Sequence, residues 1–220
     1  MGGDAFMSLI AFAVKNQNEI LRSIVRHLEL TGLSVLAGIM ISIPLGIFLT
    51  RHRKIAGPVL ALAGMIQTIP GLVMLGFALL LFGIGKLPAL VVLSLYAILP
   101  ILRNTYTGII QVDKGYVEAA TGIGMRRFQV LYKVELPLSL PAIISGIRIS
   151  SVYILSWATL AGLIGAGGLG DLIWTGLSTY NTQYILAGAI PSAILALMAS
   201  GLIGLLQKAL TPRGLRGRQA

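Results

Sequence analysis

The chain has 220 residues, of which 56% are apolar, 11% are charged and none is cysteine. That balance is too apolar and too sparsely charged for an ordinary soluble domain, and it leaves no disulfide or thiolate metal site. The net charge of +10 would suit nucleic acid only as a basic patch; the basic residues lie instead between apolar runs, as in membrane proteins, and a nucleic-acid partner is set aside.

In chain order, residues 5–24 start apolar but are interrupted by Lys15, Asn16, Gln17, Asn18, Glu19 and Arg22. This predicts an interfacial helix rather than a crossing, within an extracytoplasmic N-terminal segment 1–27. Asp4 is the only early charge, so the basic start of a signal peptide is missing and no cleavage is expected. His27 and His52 are the only histidines; each sits beside basic residues, which fits a solvated or headgroup-facing position rather than a metal site.

A helical crossing needs roughly 20 apolar residues, and five stretches meet that length: 28–50, 57–82, 88–110, 141–164 and 184–207. They define an all-α membrane domain over 28–207, with a long cytoplasmic loop at 113–140 and a cytoplasmic tail at 208–220. Lys and Arg retained in cytoplasmic loops set the orientation. Arg51, Arg53, Lys54, Arg103, Lys114, Arg126, Arg127, Lys133, Lys208, Arg213, Arg216 and Arg218 fall on one side, against Lys86, Lys15, Arg22 and Arg26 on the other. The N-terminus is therefore expected outside and the C-terminus inside.

The second span carries Gln67, Thr68, Pro70 and Gly71 at its centre, and a kink is expected where proline removes a donor. Pro44, Pro100 and Pro191 interrupt other spans. No span holds Asp or Glu at mid-depth; all seven acids, Asp4, Glu19, Glu29, Asp113, Glu118, Glu135 and Asp171, lie at span ends or in loops. This argues against proton coupling and, less strongly, against sodium coupling. Arg148 is the one basic residue well inside a span, and it starts a polar stripe of Ser145, Arg148, Ser151 and Thr159, with Tyr153, Ser156 and Trp157 nearby. Snorkelling, a dimer interface and a substrate route are all open readings for Arg148; helix packing or a route are those for the stripe.

Two nucleotide-binding patterns fail. GAGGLGD at 165–171 contains G-x-G-x-x-G but follows a membrane helix rather than a strand, which points to a re-entrant turn. GIGK at 83–86 lacks the earlier glycine and the Ser or Thr of a phosphate loop. The chain is expected not to be an enzyme on its own.

In the loop, Asp113 can cap a helix, Val117, Ala120 and Thr121 form a modest apolar face, and Gly122 and Gly124 break it; Phe128, Leu131 and Val134 then resume at intervals of three before Leu136 and Pro137. A helix, a turn and a second helix along the membrane are predicted. Here a resemblance appears. Glu118, Ala119 and Ala120, three residues, Gly124, nine residues, then Val134, Glu135, Leu136 and Pro137 resemble the EAA signature of permeases from binding-protein-dependent ABC importers, with Val where Ile is common. In that family this loop docks into a cytoplasmic ATPase, which implies coupling roles for Glu118, Ala119, Ala120, Gly122, Gly124, Met125, Leu136 and Pro137. Glu118 is suited to hold the turn by bonds to backbone amides, with solvent exposure as the alternative.

RNTYTGI at 103–109, EAATGIGM at 118–125, SWATLAGLIGAGGLGD at 156–171 and the short five-span layout resemble permeases that import glycine betaine, carnitine or choline. Methionine permeases share the small fold and a similar glycine turn. The resemblance implies a type I, methionine-permease-like importer fold in the bacterial cytoplasmic membrane. It also implies a second permease subunit, identical or related, an external binding protein, and ATPase subunits that bind the ATP and Mg, with no cofactor in this chain. A methionine or other amino-acid permease is the second reading, and a self-sufficient channel or carrier the third. Trp157, Tyr153 and Tyr96 could hold a permanent cation by cation–π contact; with Gln67, Pro70 and Arg148 they are the candidate pathway residues. Trp174, Tyr180 and Tyr184 read as outer interface anchors.

Overall fold

The computed structural model describes residues 2–211, with side chains from Met7 onward; Arg213, Arg216 and Arg218 of the expected tail lie outside the described residues. The elements are α1 (Gly2–Lys15), α2 (Gln17–Arg51), α3 (Arg53–Thr68), α4 (Gly71–Phe82), α5 (Lys86–Ile110), α6 (Lys114–Gly122), α7 (Arg127–Val130), α8 (Leu136–Trp157), α9 (Leu169–Ser178) and α10 (Thr182–Leu210). A π-helical turn, Leu131–Glu135, joins α7 to α8, and a 3-10 turn, Leu160–Ile164, follows α8. Four runs are long and apolar enough to cross a bilayer: α2, α5, Arg127–Trp157 and α10; α3 with α4 gives a fifth if the bent pair is one span.

The central layer is α2, α5 and α8, packed closely because small residues meet at the contacts. A Cβ on Gly38 would lie 2.8 Å from that of Ala97, and one on Gly146 would lie 2.9 Å from the Pro100 carbonyl. In a lipid-surrounded bundle such close approach supplies the van der Waals contact that holds helices together. Leu93, Tyr96, Ala97, Ile101 and Leu102 of α5 are fully buried in this layer.

Three expectations change. The second span does not merely kink: α3 and α4 meet at 91°, with the break at Ile69 and Pro70. Pro44, Pro100 and Pro191 lie within continuous helices, so proline alone does not break a span. At Pro100 the carbonyl freed four residues back, that of Tyr96, accepts a bond from Gln67 Nε2 at 3.0 Å. The fourth span is helical only to Trp157, and the rest of 141–164 turns back through the 3-10 segment. Finally, α2 runs unbroken from Gln17, so residues 17–27 share one rod with the first span. The N-terminal segment breaks earlier, at Asn16, whose amide Nδ2 donates to the Phe12 carbonyl at 2.9 Å.

Candidate functional site

The loop after α5 is built as a capped helix closed by a glycine turn. Asp113 Oδ1 accepts from the Gly115 amide at 2.9 Å, starting α6. At the other end the Met125 amide donates to the Ala120 carbonyl at 3.1 Å and the Gly124 amide to that of Thr121 at 2.9 Å. Gly124 has φ +85°. This pair of bonds around a left-handed residue is the Schellman closure, and it explains the spacing of the signature: the Ala120 carbonyl and the glycine four residues on are two ends of one turn. Glu118 is exposed and makes no hydrogen bond to this turn, so of its two readings the solvated one holds; the backbone closes itself.

Beyond the turn, Gln129 Oε1 accepts from the Arg126 amide at 2.8 Å, capping α7. The second helix does not lie apart along the membrane. It continues through the π-helical turn into α8, carrying Leu136 and Pro137, so the loop and the fourth span form one continuous helical run. Glu118, Ala119, Gly122 and Gly124 are exposed, Met125, Leu136 and Pro137 are half-buried, and Ala120 is buried. Ile123, Phe128 and Tyr132 are 77%, 69% and 56% exposed, an apolar set that no element among the described residues covers. Glu135 is buried and pairs with Arg51 at the end of α2. Neither stood among the expected coupling residues, though Glu135 lies inside the signature and Arg51 opens the first basic cluster.

Five of the six candidate pathway residues come together at the break between α3 and α4. Tyr96 stacks on Trp157 with ring centroids 4.9 Å apart and an interplanar angle of 20°, and Tyr153 lies 5.5 Å from Trp157. The Tyr96 hydroxyl donates to the Ile69 carbonyl, just before Pro70, while Gln67 reaches the Tyr96 carbonyl. Gly71 makes room for the indole: a Cβ there would lie 1.2 Å from Trp157 Cζ3. Tyr96 is wholly buried and acts as a brace between α5 and the broken span. Tyr153 and Trp157 remain partly exposed.

Arg148 takes no part in the ring stack or its hydrogen bonds, although it shares a cavity with Tyr153. Its Nε and Nη2 donate to Ser200 Oγ on α10 at 3.0 and 2.9 Å. Of the polar stripe, Ser151 is buried and bonded to the Ile147 carbonyl, whereas Ser145, Arg148, Tyr153 and Ser156 line one open cavity with Ser200.

The glycine turn after α8 is exposed at Gly165 and buried from Ala166 to Gly170. Gly165, Gly167 and Gly168 have φ of +68°, +87° and +93°, and Gly162 and Gly170 meet backbone to backbone. His27 is fully buried against it, with Nε2 3.0 Å from the Leu155 carbonyl, which corrects its expected solvated position. His52 is exposed and stacks on Phe48 at 4.1 Å. Tyr180 is 95% exposed, while Tyr184 packs edge-on against Phe12 at 4.8 Å.

The family model described as binding-protein-dependent transport system inner membrane component matches residues 42–215. The chain is 44% identical over 209 residues, 95% of its length and 96% of the relative's, to the glycine betaine/carnitine/choline transport system permease protein OpuCB of Bacillus subtilis (strain 168). It is 43% identical over 208 residues, 94% of its length and 96% of the relative's, to the choline transport system permease protein OpuBB of the same organism. Its fold matches a chain of the solved inward-facing MetNI methionine ABC transporter with a TM-score of 0.80 at 24% identity, covering 89% of this chain and 98% of that one.

Proposed function

The chain belongs to the binding-protein-dependent transport system inner membrane components, the permeases of ABC importers, and from that premise we propose that it imports quaternary ammonium osmoprotectants: glycine betaine, carnitine or choline. The observation that carries this reading is identity above 40% along nearly the whole chain to permeases named for those solutes. The likeness to the methionine transporter, at 24% identity, speaks for the fold and leaves the substrate open.

The importer works with partners. An external binding protein delivers the solute to the side away from the basic loops, a second permease completes the route, and ATPase subunits holding ATP and Mg dock on α6, Gly124 and the exposed Ile123, Phe128 and Tyr132. Closure of the ATPases moves α6 and α7, and the unbroken run into α8 passes that movement to Tyr153 and Trp157. The N-terminus lies outside and the C-terminus inside. Thiol labelling of single cysteines in intact cells tests this orientation, with access expected at position 178 and protection at 114 and 215.

The deciding experiment is uptake of labelled glycine betaine at high osmolarity by cells expressing this permease with its partners, competed with carnitine, choline and methionine. Competition by methionine alone would replace the substrate. Uptake by the permease reconstituted without its ATPase would make it a channel or carrier.

A further inference from the structure

We infer that the cavity between α8 and α10 is a subsite for a zwitterionic solute, in which Arg148 takes the carboxylate and Tyr153 borders the onium group. This rests on the reading of the chain as a quaternary ammonium permease. The cavity measures about 480 Å³ and is lined by Ser145, Arg148, Val152, Tyr153, Ser156 and Ser200, together with Ile149. Arg148 supplies its only charge.

That charge has no acidic partner among the described residues. The ion pairs among the described residues are Arg51–Glu135 and Lys86–Glu29, and Arg148 bonds only a neutral hydroxyl, that of Ser200. A guanidinium does not shed its proton, so it cannot relieve the cost of low-dielectric surroundings by neutralising itself. Charges kept inside a membrane bundle are kept for a ligand or a partner. The side chain is also held in place. Its two bonds to Ser200 tie it to α10, and Gly204 lets it lie flat, since a Cβ there would sit 3.3 Å from Nη1. Arginine has five N–H donors, so two bonds to Ser200 leave donors for an oxyanion, and a carboxylate matches the guanidinium fork.

Another part of the cavity lining suits the other half of such a solute. Tyr153 follows Arg148 by five residues on α8, about 7.5 Å along the helix. Its ring is backed by Trp157, which is backed by Tyr96, giving a fixed aromatic wall of the kind that attracts a quaternary ammonium. Glycine betaine and carnitine carry a carboxylate at a short distance from the onium. Choline carries a neutral hydroxyl there. The permease itself, and not only its binding protein, then distinguishes zwitterions from choline.

The test measures uptake of the three solutes by the complete importer in one proteoliposome preparation, for the native chain, Arg148→Gln and Arg148→Lys. Arg148→Gln is expected to lower kcat/KM for glycine betaine and carnitine relative to choline by roughly tenfold or more, with Arg148→Lys intermediate. Loss of folded complex scales all three alike, so it cannot mimic the changed ratio. Equal falls for all three solutes, as for a guanidinium that only anchors lipid phosphate or packs helices, would overturn the inference. A native importer that carries none of the three would overturn the substrate reading itself.

Where choline is not carried, or Arg148→Gln does not assemble, a second measurement decides. Ser156→Cys in this cysteine-free chain is labelled with a thiol reagent in the complete importer in nanodiscs. Glycine betaine is expected to slow labelling at least severalfold more than choline at equal concentration, and equal protection, or none, overturns the subsite.

Discussion

The turn that closes α6 and the turn that follows α8 both depend on glycine, but for different reasons. At Gly124 the requirement is angular: φ is +85°, and a Cβ would meet nothing within 4 Å. At Gly170 the requirement is spatial: φ is ordinary, but a Cβ would lie 2.1 Å from the Thr159 carbonyl oxygen. The first turn is exposed, beside apolar side chains that the described residues leave uncovered; the second is buried in the bundle. A side chain added to the first should therefore disturb a partner, and one added to the second should disturb the fold.

Gly170→Ala is the harshest test of that distinction. The clash is with backbone, which no rotamer change can relieve, and overpacking of this kind costs about 1–3 kcal/mol or more. We expect loss of most monodisperse protein on size-exclusion chromatography of detergent extracts. Normal yield and an unchanged Tm would show that the turn is as open as the one after α6.

Gly124→Asp tests the other half. Asp tolerates left-handed angles better than most residues, so the strain should stay near about 1 kcal/mol. Yield should be near normal, while co-purification of the ATPase or the coupling of its hydrolysis to uptake falls severalfold. A mutant with normal association and normal coupled transport would remove the coupling role from this turn.

The link between loop and bundle offers a smaller effect. Glu135 is 7% exposed and pairs with Arg51, so Arg51→Ala strands a buried carboxylate, at about 1–3 kcal/mol. The expected signature is a lower Tm restored in part by adding Glu135→Gln, since removing the second charge removes the penalty. If the double variant is no better than the single one, the pair does not tie the coupling loop to α2.

Much of this contrast could be read from the chain. The glycine of the exposed turn was legible because its partner carbonyl, that of Ala120, lies at a fixed distance in sequence, so the signature records a local hydrogen-bond pattern. Four of the five expected spans were legible from apolar length alone, while the stretch 57–82 divides between α3 and α4, which meet at 91°. What was not legible depended on contacts between distant segments. The difference between Pro70, which breaks a span, and Pro100, which does not, lies partly in Gln67 reaching across to the Tyr96 carbonyl. The burial of His27 depends on a turn more than a hundred residues away, and its basic neighbours gave the opposite impression. Arg51 and Glu135 were each visible as span-end charges, but their pairing required the π-helical turn to aim the carboxylate.

The buried turn also carries an acid, Asp171, that its surroundings push away from ionisation. Burial raises the Asp171 carboxyl above its usual value, while Arg26 and the Gly167 amide pull it back in part, and its Oδ1 has no hydrogen-bond partner. The folded chain therefore holds the Asp171 proton more tightly than the unfolded chain does. Between the unfolded and folded pKa values the folded state binds more protons, so this group's contribution to stability is most favourable below the unfolded value and declines as pH rises through the folded one. Asp171→Asn keeps the shape without the charge. We expect the variant to melt slightly higher than the native protein at about pH 8, with the gap closing as pH falls through the raised titration of the native carboxyl. A variant that melts lower at about pH 8 would mean that attraction to Arg26 outweighs burial, and that the turn after α8 is held by charge as well as by close packing.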